Sequence, residues 1–316
     1  MQIVIVTAEP LGAYHLVPLH PAMRAATASG HHFTHLIPYP ENVQGIAWES
    51  TSADLRILED GDIVVITGGG YTAWTELIAR RCEQLGVRFV MTELAYGAQP
   101  DGRSYPHPVA ASALSPAGAE NLAEYHCVAL DTITVTGTPL LDDLPVWQPQ
   151  PGRVLLLSSV DATTRDPELL LPAIGHQLRE AGHDVVVRCH PREDRSMWDG
   201  FTLDNSSTAA QAARHAEFVI GYPGSAHPIV AAIGVPVVAV APTDDLRHAL
   251  PPTQALVIPT WVNVLDDISK IGDAVATSPE MIRYVNGPVG GAGERVVRFW
   301  LDQVWRLKLE GAAQRP

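Results

Sequence analysis

Short β-branched runs alternate along this chain with longer stretches of helically spaced apolar residues, a pattern that restricts it to βα units and parallel sheet. Gln2-Ile3-Val4-Ile5-Val6-Thr7 is the first such run, and strands are expected at 2–7, 33–37, 62–67, 87–92 and 132–136. Helices fall between them. Leu16, Leu19, Met23 and Ala26 share one face over 16–28, and Ser29-Gly30 supplies a glycine stop. Trp74, Leu77, Ile78, Cys82 and Leu85 do the same over 71–85, ending at Gly86. Ser115-Pro116 opens another helix, with serine as N-cap and proline in the first turn. A second series has strands near 153–158, 184–189, 217–221, 236–240 and 255–258, and helices near 167–181, 207–214, 225–233 and 243–249. The amphipathic run 293–308, carrying Val296, Val297, Trp300, Leu301, Val304 and Leu307, predicts a packing helix able to cross back to the first domain.

The two series meet at a composition shift. Pro139, Pro145, Pro149 and Pro151 fall within residues 139–152, a stiff linker between an N-terminal domain at 1–138 and a second at 153–292, with a C-terminal helix at 293–316. With 316 residues, 46% of them hydrophobic, the chain has material for two cores. Two Rossmann-like parallel-sheet domains facing a central cleft are expected to hold a ligand there, at the carboxyl ends of their strands.

A net charge of −14 argues against nucleic acid or an anionic membrane surface as partner. No apolar run reaches the roughly 18 residues of a membrane span, and a strand begins within two residues of Met1, so the reading is a cytoplasmic protein with no integral membrane segment. Cys82, Cys127 and Cys189 are isolated and read as reduced, buried thiols. His31, His32 and His35 alternate along a strand, with His32 on the opposite face from the other two, so no metal ligand set is expected.

Two loops carry chemistry on local grounds. Gly12-Ala13-Tyr14-His15 leads from the first strand into a helix, and an imidazole there either accepts a proton from an attacking hydroxyl or caps and packs the helix start. Gly224, Ser225 and Ala226 form a tight turn after the strand ending at Gly221. Such a turn at a helix N-terminus either cradles a diphosphate or simply connects strand to helix.

Gly12, His15, Pro18 and Gly30-His31 follow the order strand, glycine loop, histidine, proline, Gly-His, which resembles the opening of the GT-B glycosyltransferases. The segment Gly221-Tyr222-Pro223-Gly224-Ser225-Ala226 followed by Gly234-Val235-Pro236 strengthens that resemblance. It implies an acceptor-side N-terminal domain and a donor-side C-terminal one. His15 becomes the catalytic base, and Gly12 and Tyr14 become acceptor or loop contacts. Pro242-Thr243-Asp244-Asp245-Leu246 is similar to the family's sugar-gripping segment, so Asp244 and Asp245 are implied sugar ligands, or else an acidic helix cap. His190-Pro191-Arg192 resembles a segment of bacterial surface-polysaccharide transferases. There Arg192 pairs with phosphate bidentately and His190 donates to it, the alternative being a solvated turn. Ser158 and Ser159 occupy another diphosphate-facing loop. Ile229 stands where the family usually carries a ribose-binding glutamate, and Gly221 where a histidine often starts the turn.

Gly68-Gly69-Gly70, Thr92-Glu93-Leu94-Ala95-Tyr96-Gly97 and Val135-Thr136-Gly137-Thr138-Pro139 also follow the segment order of the non-hydrolysing UDP-GlcNAc 2-epimerases. Glu93 matches one of that family's acids and Gly69 replaces another, so proton exchange at a sugar carbon lacks its pair. In either reading Glu93 is a catalytic candidate, able to orient His15 or an acceptor. The resemblances imply transfer of a glycosyl group from a nucleotide-diphosphate sugar, a uridine nucleotide among the candidates, to a hydroxyl acceptor. They imply no cofactor beyond the donor as co-substrate, and a monomer or homodimer. The alternatives are a 2-epimerase-like isomerase and a non-catalytic sugar-nucleotide binder.

Overall fold

The structure, a computed structural model, describes residues 1–7, 15–39, 47–68, 72–94, 106–159, 166, 169–190, 193, 195–243, 246, 248, 254–263, 271–272 and 274–313. It divides into two compact units, Met1–Asp142 with Gly287–Pro316, and Asp143–Asn286.

The first unit is built on seven parallel strands: β1 (Gln2–Val6), β2 (His32–Leu36), β3 (Thr51–Ser52), β4 (Ile63–Thr67), β5 (Phe89–Thr92), β6 (Ala111–Ala113) and β7 (Ile133–Val135). Their order is β3-β2-β1-β4-β5-β6-β7. All five residues of β4 are buried, the mark of a central parallel strand covered on both faces. Helices α1 (His20–Ala28), α2 (Ile57–Asp60), α3 (Ala73–Leu85) and α4 (Pro116–His126) connect the strands. Helix α3 starts in a capping box between Thr72 and Thr75 and stops at Gly86, whose φ of 66° is the left-handed conformation glycine tolerates. Helix α4 starts as expected, with the Ser115 hydroxyl accepting from the Gly118 N–H at 3.0 Å.

The second unit has six parallel strands: β8 (Arg153–Leu157), β9 (Asp184–Arg188), β10 (Thr202–Leu203), β11 (Phe218–Gly221), β12 (Val237–Val240) and β13 (Thr260–Val262), ordered β10-β9-β8-β11-β12-β13. Helices α5 (Leu170–Glu180), α6 (Ala209–Ala213), α7 (Ala226–Ala231) and α8 (Pro279–Asn286) belong to it. The last helix, α9 (Ala292–Ala313), packs in the first unit. Its Val296, Val297, Phe299, Trp300 and Val304 join Ile3, Ile5, Leu19 and Met23 in one core. Asp142 caps it, taking the N–H groups of Ala292 at 2.7 Å and Gly293 at 2.9 Å.

Three differences from the sequence reading stand out. The apolar run 255–258 is a 3-10 turn (Gln254–Val257) closed by the Ile258 N–H on the Ala255 carbonyl at 2.9 Å, and the strand comes after Pro259. A short apolar run carries no periodicity to separate the two. The helix expected from 167 begins at Leu170, because Leu169 is left-handed with φ 52°. The helix expected at 243–249 falls mostly outside the described residues. Of the cysteines, Cys82 is buried, Cys189 half-buried and Cys127 exposed, correcting the reading of three buried thiols.

Candidate functional site

In each sheet the chain runs outward from a first strand and then returns to its other side, placing a topological switch between β1 and β4 and between β8 and β11. Crevices outside the carboxyl ends at such switches are where open α/β sheets bind ligands.

At the first switch, Thr7 ends β1 fully buried, and its hydroxyl meets the His35 Nε2 at 2.5 Å. Burial, with His20 adding a smaller effect, pushes the His35 imidazole down to about 4. Gly12 and Tyr14 lie outside the described residues, as do Gly69 and Gly70. His15 is half-buried in the helical turn that precedes α1, and burial lowers its pKa below the ordinary 6.5. It is therefore neutral at neutral pH, the proton-accepting form.

Glu93 follows β5 with none of its surface exposed. Its Oε2 accepts the Leu114 N–H at 3.0 Å, just before α4, while Oε1 has no partner among the described residues. Gly118, in the first turn of α4, makes the space: a Cβ there would sit 2.1 Å from Oε2. Burial pushes this carboxyl up to about 7, against the lowering effect of the Leu114 bond. Among the described residues no hydrogen bond joins Glu93 to His15.

At the second switch, Ser158 follows β8 and donates its hydroxyl to Glu193. The same carboxylate takes the His190 backbone N–H and the Trp198 indole N–H, each at 2.9 Å, so Ser158 and His190 are brought together through it. Ser159 is half-buried beside them. Arg192, Asp244 and Asp245 lie outside the described residues. After β11, Tyr222 donates to Asp166 Oδ2 at 2.6 Å. Its hydroxyl pKa is raised, chiefly by burial, then by the hydrogen bond to Asp166 and the Asp166 and Glu193 charges. Gly224 accepts the His227 N–H at 3.0 Å. Ser225 precedes Ala226 at the start of α7, helical in backbone (φ −57°, ψ −18°) and with no side-chain cap. Helix α7 has six residues, and a helix this short contributes little dipole to the turn.

The departure at Gly221 has a packing cause. A Cβ there would lie 2.5 Å from the Leu157 carbonyl oxygen, so β8 and β11 approach too closely for an imidazole. His227 is instead buried beneath the turn among the carbonyls of Val238, Gly224 and Gly221, and burial pushes its imidazole down to about 4.

Sequence reasoning missed Glu193, Asp166 and Tyr222. Asp166-Pro167 carried a signal, an acid and a proline ahead of an apolar helix, that reads locally as a cap. Among the described residues no group of three or more His, Cys, Asp or Glu is placed to hold a metal, and no helix is long and apolar enough to cross a membrane.

No protein-family model and no curated protein sequence matches the chain. Solved structures do. A UDP-GlcNAc 2-epimerase of Methanocaldococcus jannaschii, in complex with UDP-GlcNAc and UDP, aligns with a TM-score of 0.63 at 13% identity, over 95% of this chain and 99% of its own. The calicheamicin glycosyltransferase aligns with 0.63 at 14% identity, over 98% of each chain. A Streptomyces sp. SF2575 glycosyltransferase complexed with thymidine diphosphate gives 0.55 at 16%, over 96% and 99%. Two all-parallel units wound in the same order, matched end to end by both groups, give this chain the GT-B-like fold that those 2-epimerases and glycosyltransferases share.

Proposed function

We propose that the protein transfers a glycosyl group from a nucleotide-diphosphate sugar to a hydroxyl acceptor. The observation that carries this reading is His15, a half-buried imidazole at the helix start beyond β1, kept neutral by burial. It takes the acceptor's proton as that oxygen bonds to the anomeric carbon, and the bond to the diphosphate breaks. Ser158, Ser159, His190, Arg192 and the Gly224-Ser225-Ala226 turn hold the departing diphosphate, while Asp244 and Asp245 hold the sugar. Uridine and thymidine diphosphate sugars are the first donors to test, since structural neighbours were solved with those nucleotides. His15→Ala is expected to lower transfer at least a hundredfold while leaving donor affinity within about twofold. Transfer as fast as wild type would remove His15 as the base.

Glu93 favours a second reading. A carboxyl that titrates at about 7 serves equally for removing and returning a proton at a sugar carbon. Incubating the protein with nucleotide sugars in deuterated water, without acceptor, separates the two. Deuterium at an epimerised carbon supports the isomerase, and its absence with every nucleotide sugar removes that reading.

A further inference from the structure

Asp166 is a fully buried carboxylate at the second switch whose two oxygens are treated very differently. Oδ2 accepts the Tyr222 hydroxyl at 2.6 Å and the Leu171 N–H at 3.3 Å, which fixes the group between the end of β11 and the first turn of α5. Oδ1 is buried with no hydrogen-bond partner among the described residues. A carboxylate oxygen sealed from water without a donor is costly, and native structures keep one where something else supplies the donor. Among the described residues no Lys, Arg or His forms an ion pair with Asp166, and no cluster there offers the further oxygen ligands a divalent cation requires. A phosphate is an acceptor and is repelled. Among the described residues that leaves no charged partner for Oδ1, and a neutral donor, of which a hydroxyl is the simplest, satisfies it.

We infer that Asp166 Oδ1 accepts a hydrogen bond from a hydroxyl of the bound nucleotide sugar, on its ribose or on its glycosyl group, with Tyr222 holding the carboxylate in place. The inference rests on the donor reading above. Tyr222 bonds only the opposite oxygen, so it positions Asp166 rather than touching ligand.

Asp166→Asn is the direct test. The amide oxygen keeps the bonds to Tyr222 and Leu171, while an NH2 group replaces the acceptor at Oδ1. Calorimetry with UDP, CDP, GDP and ADP, their 2′-deoxy and 3′-deoxy forms, thymidine diphosphate and UDP-glucose is run on both proteins. Wild type is expected to lose about tenfold in affinity for one deoxy form, and Asp166→Asn to bind both forms alike, if the hydroxyl is the ribose's. If it is the sugar's, the variant loses only the added affinity of UDP-glucose over UDP. Without ligand the variant is expected to melt close to the wild-type temperature, since an unpaired buried NH2 takes the place of an unpaired buried acceptor; a purely structural carboxylate would give a lower melting point and unchanged affinities. Should Asp166→Asn fail to fold, Tyr222→Phe is expected to show the same loss of affinity. Nucleotide and UDP-glucose affinities unchanged in the variants overturn the inference alone. Failure of wild type to bind any of these ligands overturns it together with the donor reading.

Discussion

The two switch points are wound alike and furnished differently. At the first, burial favours the uncharged forms of Glu93 and His15, and Glu93 keeps one oxygen with no partner among the described residues. At the second, Glu193 is held by three donors from Ser158, His190 and Trp198, and Asp166 by two on Oδ2, while its Oδ1, like Glu93 Oε1, has no partner among the described residues. Several donors fix the Glu193 carboxylate in place, whereas burial with a single donor leaves the Glu93 proton in play. The first end thus holds the groups whose proton affinity the fold has changed, and the second the carboxylates that hydrogen bonds hold in place.

The sharpest way to test that contrast is pH. Glu93 is raised from 4.5 to about 7, so folding takes up a proton; its contribution is complete below about pH 4.5 and is lost as pH rises through 7. That is about 3 kcal/mol across the window at ~1.4 kcal/mol per unit. His35 and His227 are lowered from 6.5 to about 4, and their contribution is present above 6.5 and lost as pH falls through 4. Glu93→Gln is therefore expected to make the loss of stability on acidification steeper, by about 3 kcal/mol between the two ends. Urea unfolding at several pH values measures this, and curves parallel to wild type would remove Glu93 as a proton store.

Gly221→Ala drives a methyl against the Leu157 carbonyl, and is expected to cost about 2 to 3 kcal/mol in the second unit. Wild-type stability in chemical denaturation would show that β8 and β11 can part. Tyr222→Phe strips one of two donors from Asp166 and should cost about 2 kcal/mol, read as a lower melting temperature. Ser158→Ala leaves Glu193 two donors, so about 1 kcal/mol is expected, with faster amide exchange at His190. A fall as large as that of Tyr222→Phe would mean the two carboxylates depend on one another.

What could be read from sequence follows from the range of each interaction. Continuous apolar runs announced β1, β4, β8, β9, β11 and β12, and the caps at Ser115 and Gly86 are local chemistry. Strands of two or three residues, β3, β6 and β10, are too short for any period to register. The position of Glu93 at a strand end was legible, but its pKa was not, because burial by α4 and the gap at Gly118 exist only once the sheet has formed. Glu193 and Asp166 escaped for the same reason: Ser158 is 35 residues from one and Tyr222 is 56 from the other. Read locally, each was only an acid in a loop.

Helix α9 sets an order in time. Trp300 donates its indole N–H to Thr92 at 2.8 Å and sits, unexposed, in the core that contains Ile3 and Ile5. The segments of the first sheet leave the ribosome early, yet part of their core is synthesised only with the last helix. During translation the second unit can close on its own residues first, while the earlier-made half waits, incomplete, for α9.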